Sequence, residues 1–326
     1  MQLGFAKRRK WVFAPKAVSV PLAILTACGV WLASATIGVA QDSASPTVAK
    51  KPVAKKQLEL PPGVRVERDL EFVRRGDQSL RLDLYLPAKP TERPLPLVVW
   101  VHGGGWNAGD KARCPGVYLA AEGFAVASIN YRLTQEAKWP AQIDDCREAI
   151  RWLRREGAKY GIATDKIGVW GGSAGGHLVA LMGTLDVPTD EAVSSRVQAV
   201  CDWYGPSDLL TMPPNVLSAG KTEADLAKAN GAQLLGGIVR DRPELAKQAS
   251  AYYQASAGDT PFLIMHGDQD PGVPLEQSRK LHEALQKAGV ESTLTVVKGG
   301  GHGGPAFQTD AVKNEVRDFF RKHLAK

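Results

Sequence analysis

The chain has 326 residues, a length that suits one large α/β domain with additional segments. Its formal net charge of +7 lies at the N-terminus, because residues 1–57 carry nine Lys or Arg and one Asp, whereas the remainder carries 32 basic and 33 acidic residues. The larger part of the chain therefore has no excess of positive charge for binding a polyanion, and we expect no nucleic-acid partner.

Residues 1–40 have the pattern of an export signal. A cationic group at 7–10 precedes an apolar stretch at 17–40 that ends in small residues, as before a cleavage site. This predicts a signal peptide and a secreted or periplasmic protein. Two alternatives remain open, and in either of them the protein would be attached to a membrane. The apolar stretch is long enough to be retained as an anchor, and residues 25–28 (LTAC) are similar to a lipoprotein box in which Cys28 is lipidated.

Residues 41–57 carry Lys, Ser and Pro but few bulky apolar side chains, which predicts a disordered basic tether before a folded domain at 58–326.

Cleavage after residue 40 would leave three cysteines. In an exported protein a disulfide between Cys114 and Cys146 is a candidate, with free buried cysteines as the alternative. No C-x-x-C or H-x-x-x-H spacing occurs in the sequence, so we expect no metal site.

The folded domain is predicted to contain eight strands. Alternation of apolar and charged residues at 64–73 and 80–86 indicates antiparallel strands, and the continuous apolar run at 97–101 indicates a strand buried on both faces. Further strands are predicted at 124–129, 167–170, 197–203, 261–265 and 292–297. Helices are predicted from near Asp110 and at 142–160, 174–184, 275–288 and 311–324, with a helical insertion at 207–258. Strands that alternate with helices predict a doubly wound, mostly parallel sheet.

Residues 171–175 read GGSAG and lie between a predicted strand and a predicted helix. This is the G-x-S-x-G pattern of a nucleophile elbow, a sharp turn that presents a serine above the sheet edge. A side chain at Gly171 or Gly175 would collide with the neighbouring elements. Ser173 is therefore the candidate nucleophile. A phosphate-binding glycine loop is the alternative, but the lysine of its motif is absent.

A serine hydroxyl needs a base to take its proton, and the base needs an acid to orient it. In this kind of fold they follow in the order Ser, Asp or Glu, His, each after a strand. His302 lies in a glycine-rich loop after the last strand and is the candidate base. Asp270, followed by the turn sequence PGVP, is the favoured acid, with Asp268 as the alternative.

A second glycine-rich segment, HGGGW at 102–106, follows the third strand. Glycines allow backbone N–H groups to approach the oxygen that becomes negative during acyl transfer. Gly103 and Gly104, with Ala174 next to the nucleophile, are the candidate oxyanion hole. His102 and His266 are expected to be hydrogen-bonded structural residues, and His177 lies one turn into the helix that follows the elbow. Trp106 and Trp203 are candidates either for a pocket wall or for the core.

Five segments together carry a family resemblance: HGGGW (102–106), NYRL (130–133), GGSAGGH (171–177), DWYGPSDL (202–209) and HGDQDPGVP (266–274). They resemble the α/β-hydrolase fold serine esterases, and they are most similar to the bifunctional feruloyl/acetyl xylan esterase and hormone-sensitive-lipase-like (HGGG) group. The resemblance covers residues 64–324. It implies that 58–326 is an α/β-hydrolase catalytic domain, that Ser173, Asp270 and His302 form a triad beside the oxyanion hole, and that no cofactor is needed.

The expected function is that of a serine-dependent carboxylic ester hydrolase acting on a small-molecule or polysaccharide ester. Acetylated or feruloylated plant polysaccharide is expected by the resemblance. A serine peptidase of the prolyl-oligopeptidase type shares the triad order, but such enzymes usually carry an N-terminal propeller that 57 residues cannot supply. A non-catalytic binding module is a third reading, which predicts a missing triad residue; none is missing.

Overall fold

The structure is a computed structural model that describes residues 60–187 and 192–324. The predicted signal peptide and tether lie outside these residues and stay predictions. The strands are β1 (Val64–Arg75), β2 (Gln78–Pro87), β3 (Leu95–Val101), β4 (Ala125–Ile129), β5 (Ile162–Gly172), β6 (Ala199–Trp203), β7 (Phe262–Gly267) and β8 (Ser292–Val297). They form one sheet in the order β1-β2-β4-β3-β5-β6-β7-β8. β2 runs antiparallel to β1 and β4, and the other neighbours are parallel, as the sequence predicts.

All helices except the C-terminal one connect successive parallel strands, as crossover units require. They are α1 (Ala141–Glu156), α2 (Ala174–Thr184), α3 (Glu223–Lys228), α4 (Asn230–Leu235), α5 (Pro243–Gln248), α6 (Ala251–Gln254), α7 (Leu275–Lys287) and α8 (Asp310–Leu324). The segment between β6 and β7 contains α3 to α6 and two short 3₁₀ turns, which agrees with the predicted helical insertion. Across the described residues, no helix is both long enough and apolar enough to cross a bilayer.

The sheet is covered by apolar side chains on both faces. Alternate residues of β3 point to opposite sides, so Val99 lies in one core cluster and Trp100 in the other. The second cluster includes four buried residues of α8 spaced four apart, namely Val312, Val316, Phe320 and Leu324. This spacing places them on one stripe of the helix, which explains why α8 packs against the sheet.

The helix predicted from near Asp110 is wrong. The chain instead turns there and then forms a 3₁₀ helix at Pro115–Glu122. Side chains occupy both backbone hydrogen-bonding groups of Lys111 in place of helical partners. Its N–H donates to Asn130 Oδ1 at 2.7 Å, and its carbonyl accepts from Ser128 Oγ at 2.7 Å. Proline lacks an N–H and fits only the start of a helix, which places the helix start at residue 115.

The candidate disulfide between Cys114 and Cys146 is not formed. Both residues are buried free thiols, and so is Cys201. Cys114 belongs to the core cluster that contains Trp100, whereas Cys146 belongs to the cluster on the other face of the sheet. The sheet therefore lies between the two sulfurs, and the alternative of free buried cysteines is the one observed.

A buried carboxylate joins three parts of the fold around the NYRL segment. Asp145 of α1 is fully buried and accepts hydrogen bonds from Arg132 Nε at 2.7 Å and Arg132 Nη2 at 2.9 Å. Its second contact is with Arg75, at the end of β1, whose Nε lies 3.3 Å from Oδ1. The carboxylate thus ties α1 to the loop after β4 and to the first hairpin.

We expect Asp145→Ala to destabilise the protein by about 3 kcal/mol, because it leaves the partly buried guanidinium of Arg132 without its counter-charge. Urea unfolding, with the midpoint and slope fitted together, measures the change. Glu244→Ala is the matched control, since Glu244 is exposed and pairs with Lys247 at the surface; its midpoint should stay at the wild-type value. Equal midpoints for the two variants would contradict the prediction.

Candidate active site

Ser173 occupies a strained turn between β5 and α2. Its φ of 58° and ψ of −121° lie in a backbone region that residues other than glycine rarely adopt. The turn is held on both sides, because Ser173 N donates to Trp203 O at 2.9 Å and Ser173 O accepts from His177 N at 2.9 Å. This is the geometry of a nucleophile elbow, as the sequence predicts.

The elbow glycines are required by close backbone contacts. A Cβ atom on Gly175 would lie 2.0 Å from the carbonyl oxygen of Val101, and one on Gly171 would lie 2.4 Å from the carbonyl of Gly175. No side chain fits at either distance. The first turn of α2 therefore rests directly on the end of β3.

The structure brings the three predicted triad residues together. His302 Nε2 lies 2.8 Å from Ser173 Oγ, and His302 Nδ1 lies 2.7 Å from Asp270 Oδ2. With the proton on Nδ1, the neutral imidazole donates to Asp270 and accepts from the hydroxyl of Ser173. The order of the contacts is that of nucleophile, base and acid.

Asp270 is held in place as a carboxylate. Its side chain is 1% exposed, and its Oδ1 accepts from the N–H groups of Gly272 at 2.7 Å and Val273 at 2.9 Å. Burial alone would raise the pKa of Asp270, but hydrogen bonds from His266, His302 and the two amides hold that pKa well below its usual range. The turn after Asp270 therefore fixes the direction of its free oxygen toward His302.

Asp268, the alternative acid, has a different contact. It is exposed, and its Oδ1 accepts from Gly299 N at 2.7 Å. This bond joins the end of β7 to the loop that carries His302. The geometry therefore favours Asp270 as the partner of His302 and makes Asp268 a tie between two loops.

The candidate oxyanion donors lie beside Ser173. A Cβ atom on Gly103 would be 3.2 Å from Ser173 Cβ, so the backbone of this loop reaches the nucleophile. In the part of the chain that the structure describes, the N–H groups of Gly103 and Gly104 have no protein acceptor. Ala174 is the first residue of α2, and the N–H of a first-turn residue has no acceptor inside its own helix. All three N–H groups are thus available to a ligand.

His102 is a hydrogen-bonded structural residue at the start of the glycine loop (102–106), as expected. Its ring stacks on Tyr131 with centroids 4.4 Å apart, and the Tyr131 hydroxyl donates to His102 O at 2.9 Å. His102 Nδ1 lies 2.8 Å from Gly103 O. Burial lowers the pKa of His102, which keeps the ring neutral.

The sequence leaves undecided whether Trp106 and Trp203 line a pocket or lie in the core, and both are core residues. Trp106 is 4% exposed, and its Nε1 donates to His177 Nδ1 at 3.2 Å. His177 Nε2 in turn donates to Ala249 O at 2.7 Å. Trp203 is 3% exposed and packs against Trp170 with ring centroids 4.7 Å apart.

Two residues beside the triad were not assigned to it by sequence reasoning. His266 is buried in β7 and its Nε2 lies 3.4 Å from Asp270 Oδ2. The ring of Tyr204 lies 4.7 Å from the ring of His302. The only sequence signal for Tyr204 is its position directly after a predicted strand, within the DWYGPSDL segment.

The triad lies at the carboxyl edge of the sheet. A cavity of about 640 Å³ lies instead at the opposite edge, against Leu95, Phe124 and Lys166, and none of the predicted site residues lines it.

Among residues 60–187 and 192–324, no group of three or more His, Cys, Asp or Glu is placed to bind a metal ion.

The comparison with protein families finds a match to the BD-FAE model over residues 82–285, more than half of the chain. The chain belongs to the BD-FAE family. The matched range contains Ser173 and Asp270, whereas His302 lies beyond it.

The chain is also similar to individual proteins that are named as esterases. The chain is 33% identical over 237 residues to the esterase LipQ of Mycobacterium tuberculosis, an alignment that covers 68% of this chain and 53% of LipQ. The chain thus spans about half the length of the curated relatives it matches.

Among solved structures, a truncated carbohydrate esterase from gut microbiota superposes with a TM-score of 0.70 at 32% identity, covering 80% of this chain and 97% of that one. Esterase Est2 of Thermogutta terrifontis gives a TM-score of 0.65 at 26% identity, with 82% and 95% coverage. These likenesses confirm the α/β-hydrolase fold.

We expect the stability of the fold to depend on pH through His177. Burial lowers the pKa of His177 to about 4, whereas an unfolded histidine titrates near about 6.5. Between these values only the unfolded chain binds the proton, so stability falls as the pH is lowered from about 6.5 to about 4. His177→Gln should remove up to about 3 kcal/mol of this loss.

Urea unfolding of both proteins at pH 7 and pH 4.5 measures the effect. The carboxylates of the chain are common to both proteins, so the difference between the two pH dependences isolates His177. Identical pH dependence in wild type and variant would show that the imidazole at 177 does not carry the predicted shift.

Proposed function

We propose that the chain is a serine-dependent carboxylic ester hydrolase that forms an acyl-enzyme. The observation that carries this proposal is the unbroken hydrogen-bond series from Ser173 through His302 to Asp270. In the first step Ser173 Oγ attacks the ester carbonyl carbon while its proton moves to His302 Nε2. Asp270 then stabilises the imidazolium that results.

The tetrahedral intermediate carries its negative charge on the former carbonyl oxygen. In this proposal the N–H groups of Gly103, Gly104 and Ala174 stabilise that charge, and one such donor lowers the barrier by about 3 kcal/mol. When the intermediate collapses, the alcohol leaves with the proton from His302. A water molecule, deprotonated by the same imidazole, attacks the acyl-enzyme and releases the acid and free Ser173.

For the substrate class we favour acetylated or feruloylated plant polysaccharide over a small ester. Support comes from the likeness to the truncated carbohydrate esterase from gut microbiota, since this chain covers 97% of it. The export signal expected in residues 1–40 is consistent with a polysaccharide outside the cytoplasm.

Two alternatives make different predictions. A serine peptidase of the prolyl-oligopeptidase type would use the same triad but would cleave amides in preference to esters. A non-catalytic binding module would not react with an acylating reagent at all.

We expect a fluorophosphonate probe to label Ser173, because the hydroxyl is hydrogen-bonded to an imidazole that can remove its proton. Ser173→Ala should abolish labelling and lower kcat for p-nitrophenyl acetate by about 10⁵–10⁶-fold. Ser292→Ala is the matched control, because that hydroxyl bonds His282 at the start of β8, away from the triad.

The same preparations are assayed on acetylated xylan, methyl ferulate and a peptide p-nitroanilide. Release of acetate or ferulate supports the proposal. Faster cleavage of the anilide than of any ester would support the peptidase, and an unlabelled wild type would support the binding module.

The two carboxylates after β7 should differ sharply in their effect on rate. Asp270→Asn is expected to lower kcat by about 10³–10⁴-fold, since an amide cannot hold the Nδ1-protonated tautomer or stabilise the imidazolium. Asp268→Asn keeps an oxygen acceptor for Gly299 N and should stay within about threefold of wild type. Steady-state kinetics on p-nitrophenyl acetate test both, and a reversed ranking would make Asp268 the acid.

A further inference from the structure

Tyr204 occupies an unusual backbone position at the edge of the triad. It follows β6 directly, and its φ is 43°, a left-handed value that is uncommon for a bulky residue. Its N–H donates to Met265 O at 2.9 Å, which fixes the backbone against β7. Strained positions of this kind persist where the surroundings impose them and are frequent at ligand-binding sites.

The Tyr204 hydroxyl lies between the segments that carry the nucleophile and the base. A Cβ atom on Gly303, the residue after His302, would be 2.8 Å from the hydroxyl oxygen. A Cβ atom on Gly172, the residue before Ser173, would be 3.1 Å from it. Glycines at both positions therefore make room for this oxygen next to the reacting groups.

The hydroxyl has no hydrogen-bond partner among the described residues, although Tyr204 is half-buried. Tyr118 donates to Lys313 O and Tyr131 donates to His102 O, whereas the buried hydroxyl of Tyr85 has no partner among the described residues. Buried phenols normally find a partner. Burial, reinforced by the negative charge of Asp270, raises the pKa of Tyr204 to about 12, so the hydroxyl remains a donor at neutral pH.

The position of His302 indicates which part of the substrate this hydroxyl faces. In acyl transfer the imidazole returns its proton to the departing oxygen, so the alcohol portion of the ester must lie against His302. The Tyr204 ring packs on the same imidazole. A phenol both donates and accepts, which matches a hydroxyl group near the ester oxygen.

We propose that Tyr204 is a specificity-determining residue whose hydroxyl hydrogen-bonds a hydroxyl group on the alcohol portion of the ester, so that the site prefers polyhydroxylated alcohols such as sugars. This inference rests on the proposed ester hydrolase function. It assigns the preference to the alcohol side of the substrate and leaves the acyl side to other residues.

The experiment compares Tyr204→Phe with wild type on two acetate esters that share the acyl group, glycerol monoacetate and propyl acetate. Only the first has hydroxyl groups on its alcohol portion. We expect kcat/KM for glycerol monoacetate to fall about five- to tenfold, the loss typical of one hydrogen bond, while propyl acetate changes less than twofold. Tyr118→Phe is the matched control, because it removes a phenol hydroxyl away from the triad.

Each outcome decides the inference. An equal fall for both esters would mean that the hydroxyl supports His302 instead of the substrate, and no fall for either would mean that it makes no functional contact; both overturn the proposal. A wild-type protein that hydrolyses neither ester nor any ester of the broader panel would overturn the proposed function itself, and this inference with it.

Discussion

The contact between the first turn of α2 and the end of β3 fixes the nucleophile relative to the glycine loop. Gly175 packs so closely on the carbonyl oxygen of Val101 that a Cβ atom would lie 2.0 Å from it. The chain that leaves Val101 becomes the glycine loop, and the chain that enters α2 carries Ser173. One backbone contact therefore sets the distance between the nucleophile and the amides that would stabilise the oxyanion. Because backbone atoms make this contact, the distance does not depend on flexible side chains.

The triad combines a buried acid with a more open base. The side chain of Asp270 is 1% exposed, whereas that of His302 is 32% exposed. A buried carboxylate with four hydrogen-bonding neighbours keeps its charge and its direction, which the imidazolium requires. The base has to reach both the nucleophile and the substrate, so it lies on a loop at the surface of the site. The bond from Gly299 N to Asp268 ties that loop to the end of β7.

The parts of the site that follow from local rules could be predicted from the sequence. Ser173 is marked by a short motif in a strand–turn–helix setting, and His302 is marked by its place after the last strand. The choice between Asp270 and Asp268 is harder, because both follow the same strand, and the contacts that separate them, from His302 to Asp270 and from Gly299 to Asp268, form only in the fold. The helix predicted from near Asp110 was wrong because side chains distant in sequence bond its backbone.

Tyr204 shows a further limit of sequence reasoning. Nothing in its local pattern separates a core tyrosine from one that faces the triad, since both would follow a buried strand. The difference arises from Gly172 and Gly303, which are far apart in the chain and meet only in the fold. The relation between such residues is a property of tertiary structure, and periodicity does not encode it.

The helical insertion is joined to the rest of the fold by backbone carbonyls and by a set of polar side chains. Ala249 O accepts from His177, and Leu234 O accepts from Trp139 N at 2.9 Å. Among the side chains, Ser207 Oγ donates to Gln277 O, and Asp208 pairs with Lys280 of α7. Asn230 Oδ1 accepts from Asn107 Nδ2 at 3.0 Å beside the glycine loop.

Backbone carbonyls and these few polar side chains anchor the insertion, so its other side chains can differ without loss of the anchoring contacts. The α/β-hydrolase framework can therefore retain one arrangement of nucleophile, base and acid while the insertion alters the surface that meets the substrate. On this reasoning the acyl side of the specificity is to be sought among side chains of the insertion, and the alcohol side beside His302.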